Sequence, residues 1–174
     1  MRYWILLLLF AAVPGQGQSL QPAPWYVGAH IGFSQVDDEF GASDDGAVFR
    51  GNLGRQVTDA LTLELEVGGG EVDFDQGPSL DQTHIALNLM IVNRSVTWNP
   101  YFLAGFGGFD HDVPQFADTG PMAQVGIGGM WDLNGFGLML RADLRYRHSD
   151  LDLELVDRGQ TVLTIGLEFP FGRN

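Results

Sequence analysis

From Trp25 to Gln35 the chain alternates. Trp25, Val27, Ala29, Ile31 and Phe33 fall on one face; Tyr26, Gly28, His30, Gly32 and Ser34 fall on the other. A repeat of two residues is that of a β-strand. The pattern returns along the chain. Residues 47–57 set Phe49 and Leu53 against Arg50 and Asn52, and 61–70 set Leu61, Leu63, Leu65 and Val67 against Thr62, Glu64, Glu66 and Gly68. Residues 83–93 oppose Ile85, Leu87, Leu89 and Ile91 to His84, Ala86, Asn88 and Met90. Residues 121–131 oppose Ala123, Val125, Ile127 and Trp131 to Gln124, Gly126 and Gly128. Residues 137–147 oppose Leu138, Leu140, Ala142, Leu144 and Tyr146 to Arg141, Asp143, Arg145 and Arg147. Residues 159–169 oppose Thr161, Leu163, Ile165, Leu167 and Phe169 to Val162, Thr164, Gly166 and Glu168. One further segment, 100–109, carries Gly and Phe on both faces, so its register stays open.

Each predicted strand runs about ten residues, the length a tilted strand needs to cross a bilayer. An open sheet cannot sit in lipid, because its edge peptide groups would find no partner. The pattern therefore predicts an all-β fold, an eight-stranded antiparallel up-and-down transmembrane β-barrel. Two places break the alternation. Val72 and Phe74 lie out of phase with 61–67, and Leu151, Leu153 and Leu155 lie out of phase with 138–146. A bulge at each place is expected to switch the register.

Charge sharpens the picture. Sixteen of the 22 acidic residues lie in 36–46, 71–82, 110–119 and 149–158, the connections at one end of the strands. The connections at the other end, around 57–60, 93–99 and 132–137, are read as short turns. Long loops outside and short turns in the periplasm are the arrangement of outer-membrane barrels. The net charge of -13, with nine arginines and no lysine, argues against nucleic acid as a partner. The absence of cysteine excludes disulfides, thiolate zinc sites and acylation at a cysteine. Residues 1–18 read as an export signal: Arg2, the apolar run 4–13, then small residues at Gly15 and Gly17. Cleavage is expected near 15–19, leaving 19–174 as the barrel.

Alternation does not say which face meets lipid. The polar face is rich in glycine (Gly28, Gly32, Gly54, Gly126, Gly128 and Gly166), which suits a narrow interior better than a hydrated surface. Trp25, Trp98, Tyr101, Trp131, Phe136 and Phe169 collect where strands meet the short turns, as in an interfacial girdle. The apolar rows are thus expected to face acyl chains.

The ordered segments Trp25–Ser34, Gln56–Glu66, Pro100–Gly107, Arg141–Arg147 and Thr161–Phe169 resemble the OmpA-type eight-stranded outer-membrane β-barrel family. The resemblance covers nearly all of 19–174 and concerns the barrel domain, without a peptidoglycan-binding domain. It implies residence in a bacterial outer membrane, among lipids and lipopolysaccharide, after delivery to the outer-membrane assembly machinery. Phe169 or Phe171 would be the terminal aromatic which that machinery reads, with Gly172-Arg-Asn174 trailing behind it.

Glu64, Glu66, Arg141, Asp143, Arg145 and Glu168 fall on the inner face. The third and seventh strands stand opposite each other, so Glu64 and Glu66 are expected to meet Arg141 and Arg145. Structural pairing is the favoured reading, and an ion gate is the alternative. Eight strands leave room for side chains rather than a wide channel. Asp73-Phe-Asp-Gln-Gly77 resembles the start of a calcium loop but lacks the later ligands, so no metal site or cofactor is expected. His148-Ser149-Asp150 invites comparison with lipid A deacylases, but adjacent strand residues point to opposite faces, and no G-x-S-x-G elbow occurs. No catalytic residue is assigned. Phe40, Phe74, Phe116 and Leu151 offer an alternative role in ligand transport or adhesion. The expected function is a structural or surface-interacting barrel, monomeric, with a polar lumen filled by side chains and a minor pore as the variant reading.

Overall fold

The protein, described from a computed structural model, is a closed barrel of eight strands in which each pairs with its sequence neighbours. The structure describes residues 25–36, 44–72, 80–94, 98–113, 116–133, 137–149 and 158–172. The strands are β1 (Trp25–Val36), β2 (Asp44–Gln56), β3 (Leu61–Val72), β4 (Leu80–Val92), β5 (Pro100–Val113), β6 (Phe116–Asp132), β7 (Met139–Ser149) and β8 (Arg158–Phe171). Every pairing is antiparallel, and β1 meets β8 from Trp25↔Phe171 to Val36↔Gln160. That seam removes the last free edge. The predicted signal segment lies outside the described residues.

The apolar rows face outward. Ile31, Phe33, Leu65, Ile85, Phe106, Leu163 and Ile165 are exposed on the outside of the cylinder. A water-soluble barrel would hide these rows; here they form the belt that lipid must cover. Toward the hairpin end the outward face turns polar within the strands themselves, at Gln35, Glu71, Asp81, Asp110 and Thr119, all exposed. The sheet therefore runs past the belt.

Two expectations about this end are corrected. The acidic segments are not simply loops: β5 and β6 stay paired from Asp110↔Thr119 out to Val113↔Phe116. With this extension, the connection at 114–115 is shorter than the opposite-end connections at 93–99 and 133–138. The predicted bulge after Gly68 is also absent. The ladder runs unbroken through Arg50↔Gly68, Phe49↔Gly69 and Val48↔Gly70 to Gly46↔Val72. The glycines there make room instead, because the Phe49 ring lies over Gly69, 3.1 Å from where a Cβ would stand. Phe74 and the second predicted bulge, around Leu151–Leu155, lie outside the described residues.

The open register of β5 is set by its neighbours. Tyr101↔Val92 and Tyr101↔Gly128 fix Tyr101, Leu103 and Phe109 as inward, and Phe102 and Phe106 as outward. Gly105 follows the inward set. A Cβ there would lie 1.9 Å from Asn88 Oδ1, and Asn88 is fully buried. Outward Gly51 has only a backbone oxygen at 3.8 Å.

This contrast predicts that Gly105→Leu loses at least the ~1–3 kcal/mol typical of overpacking, while Gly51→Ala stays within about 0.5 kcal/mol. Heat-modifiable gel migration of the outer-membrane fraction, read as the midpoint between compact and extended bands, checks both.

Candidate functional site: a polar lumen

Inward positions on β1, β2, β3, β7 and β8 converge on one buried network. Four arginines, Arg50, Arg141, Arg145 and Arg147, meet four carboxylates, Glu64, Glu66, Asp143 and Glu168. All eight are buried. The central struts cross the lumen from β7 to β3. Arg141 NH1 donates to Glu64 Oε2 at 2.5 Å, and Arg145 NH1 donates to Glu66 Oε2. Arg50, on β2, reaches Asp143 on β7 at 2.5 Å and Glu66 at 3.1 Å.

Each carboxylate collects several donors, which is the condition for a charge to stay ionised away from water. Glu66 accepts from Arg50 and Arg145 at Oε2 and from Arg147 at Oε1, and His84 Nε2 lies 3.0 Å from Oε1. Glu64 accepts from Arg141, from the Tyr26 hydroxyl at 2.7 Å and from Asn52 at 2.9 Å. Glu168 accepts from Arg141 at 2.9 Å and from Asn52 at 3.0 Å, beside His30 at 3.1 Å. Asp143 accepts from Arg50, Arg141, Arg145, Tyr101 and Thr164. Arg50 Nε and Arg145 NH2 are buried without a hydrogen-bond partner, although Arg145 NH2 keeps an ion pair to Glu64 at 3.7 Å.

The glycines on the neighbouring strands make this crowding possible. A Cβ at Gly28 would lie 2.1 Å from Glu168 Oε2, and one at Gly126 would lie 2.8 Å from the Arg145 stem. The long side chains lie flat where the wall has none.

Apolar groups flank the ionic layer. Near the short-turn rim, Met90, Val92, Tyr101, Leu103 and Met130 form a buried cluster with Met139 against it. Toward the hairpin rim, Ala86, Phe109 and Met122 form a second cluster, and the His84 ring stacks on Phe109 with centroids 6.1 Å apart. Near that mouth Gln160 donates to Gln82 at 3.3 Å, from β8 across to β4.

The sequence-derived lumen set, Glu64, Glu66, Arg141, Asp143, Arg145 and Glu168, comes together in this network. The network extends beyond that set. Tyr26, His30, Arg50, Asn52, His84 and Arg147 belong to it, and each already lay on a polar row. The girdle set divides. Trp131 and Phe169 face outward, and Trp25 lies on the same outward row under the Arg55 guanidinium at 5.1 Å. Trp98 stacks on Trp131 at 6.1 Å, beside Gly129. Phe136 lies outside the described residues. Tyr101 must be corrected: it is an inward residue. Its hydroxyl donates to Asp143 at 2.7 Å and accepts from Arg141 at 2.7 Å, with the Arg141 guanidinium 4.9 Å over its ring.

His148 is exposed and Ser149 buried, on opposite faces of β7, so the two do not form a dyad. Among the described residues no three of His, Asp or Glu are grouped to hold a metal. The segment 73–77, with Phe40 and Leu151, lies outside the described residues; Phe116 opens β6.

Glu66→Gln would leave three guanidiniums short of their shared carboxylate. The expected cost is ~3–5 kcal/mol, that of a stranded buried charge. Exposed Glu71→Gln should change stability by less than about 0.5 kcal/mol. The thermal midpoint of the compact band measures the difference.

The same architecture recurs in solved structures. Neisserial surface protein A (NspA) superposes with a TM-score of 0.73 at 15% identity, over 85% of this chain and 97% of that one. The N-terminal β-barrel domain of Pseudomonas aeruginosa OprF gives 0.60 at 16% identity, over 87% and 100%. The outer membrane protein OprG from Pseudomonas aeruginosa gives 0.56 at 14% identity, over 87% and 98%. At such identities the likeness speaks for the fold alone. No curated protein matches the chain in sequence. The family model of the outer membrane protein beta-barrel domain matches residues 4–171, and with its lipid-facing belt and closed sheet the chain belongs to that family of the bacterial outer membrane.

Proposed function

We propose that the protein is a non-conducting, monomeric outer-membrane barrel whose work is structural and surface-directed: it holds acidic hairpins at the cell exterior. The filled lumen carries this reading. Arg141, Arg145, Tyr101, Met90, Leu103, Glu64, Glu66 and Glu168 are all almost fully buried within the barrel. An ion path would require Arg141–Glu64 and Arg145–Glu66 to part together, and the apolar groups at both ends to withdraw. Each separation strands buried charges. The short turns and both strand ends Trp25 and Phe171 would then face the periplasm, with cleavage of the export signal near 15–19.

The exposed acids at Glu71, Asp81 and Asp110 suit contact with lipopolysaccharide phosphates through loosely held divalent cations. No catalytic role is assigned, and small-ligand transport or adhesion is the alternative role for the hairpin end.

In planar bilayers the purified folded protein should give no discrete conductance steps at neutral pH. Steps in the wild type that widen in Arg141→Ala would instead support a gated minor pore.

A further inference from the structure

At the short-turn rim a cleft of about 600 Å³ opens between the β2–β3 and β4–β5 connections. It is lined by Asp59, Ala60, Ile91, Val92, Asn93 and Arg94, together with Pro100–Phe102. Its floor is apolar and continuous with the lipid-facing wall, since Ile91 and Phe102 both point outward and are about half exposed. Its head is polar. Arg94 is partly buried, and its guanidinium is held by neutral acceptors: the Asp59 carbonyl and, at 3.1 Å, the Thr62 hydroxyl.

The four lumen arginines each meet a carboxylate, and Arg55 lies over Trp25. Arg94 differs: among the described residues no carboxylate stands within ion-pair distance of it. Asp59, on the same cleft, is exposed. One cation and one anion therefore sit together but not joined, above a strip of apolar wall. Trp98 and Trp131 stack at the same rim, as aromatic side chains do at a lipid–water boundary.

We propose that this cleft binds one zwitterionic phospholipid of the adjoining leaflet, a phosphatidylethanolamine. Its phosphate sits on Arg94, its ammonium on Asp59, and an acyl chain lies over Ile91 and Phe102. A guanidinium already fixed in orientation loses little freedom on meeting a phosphate oxygen, and its geometry suits that anion. A carboxylate beside it discriminates against a headgroup that carries only negative charge.

Native mass spectrometry of the folded full-length barrel, released from mild detergent with acyl-matched phosphatidylethanolamine or phosphatidylglycerol, tests the site. The wild type should retain one phosphatidylethanolamine in preference to phosphatidylglycerol. Arg94→Gln should weaken retention of both by roughly tenfold, as loss of a charge-assisted contact predicts. Asp59→Asn should bring the two lipids to about equal retention. Its backbone carbonyl still receives Arg94, so this variant keeps the test decisive if Arg94→Gln does not fold. Equal retention of the two lipids by the wild type, or an unchanged preference in Asp59→Asn, would overturn the proposal.

Discussion

In hydrocarbon a peptide group has no water to turn to, and every other feature of this molecule answers to that constraint. The β1–β8 seam satisfies it, by pairing the first strand with the last over twelve residues of β1. Once the sheet is a cylinder, alternation stops being a choice between core and water. One row must suit acyl chains, and the other must share a narrow interior. Ile31, Phe33 and Phe106 follow from the first demand; the glycines and long polar side chains follow from the second.

The interior resolves its crowding by division of labour between strands. β7 supplies three of the four arginines; β3 supplies two of the four carboxylates opposite them. The strands between add Arg50, Glu168 and two histidines, and otherwise supply short residues, amides and hydroxyls. Gly28 and Gly126 yield space to Glu168 and Arg145. Asn52 bridges Glu64 and Glu168, while Asn88 and Gln124 link the Glu66 end to Arg147. Buried ion pairs are weak evidence for net stability, because desolvation offsets much of their attraction. Their effect here is on shape: struts of fixed length hold opposite walls at one separation.

Much of this was legible in the chain. Seven strands declared their faces because Leu, Ile and Val alternate cleanly with charged or small residues. Glu64, Glu66, Arg141 and Arg145 were readable because charge on the inner row of opposite strands has few other places to go. Tyr101 was not readable. Its strand sets Gly and Phe on both rows, and only pairing with Val92 and Gly128 decides which way the ring points. The acidic segments misled for a related reason. Polarity there marks the end of the lipid belt, whereas hydrogen bonding, which fixes the strand end, continues to Val113↔Phe116. Gly68–Gly70 looked like a switch of register because Val72 and Phe74 fall out of phase with 61–67; the ladder passes through the glycines unbroken, with the Phe49 ring over Gly69.

The seam also sets how the chain can be cut and rejoined. Trp25 is paired directly with Phe171, so the first and last strand residues lie side by side at one rim. A short polar bridge between them would turn the protein into a ring with no seam distinguished from any other. Reopening that ring at any hairpin would yield a permuted polypeptide with the same wall, the same lumen and a different order of synthesis.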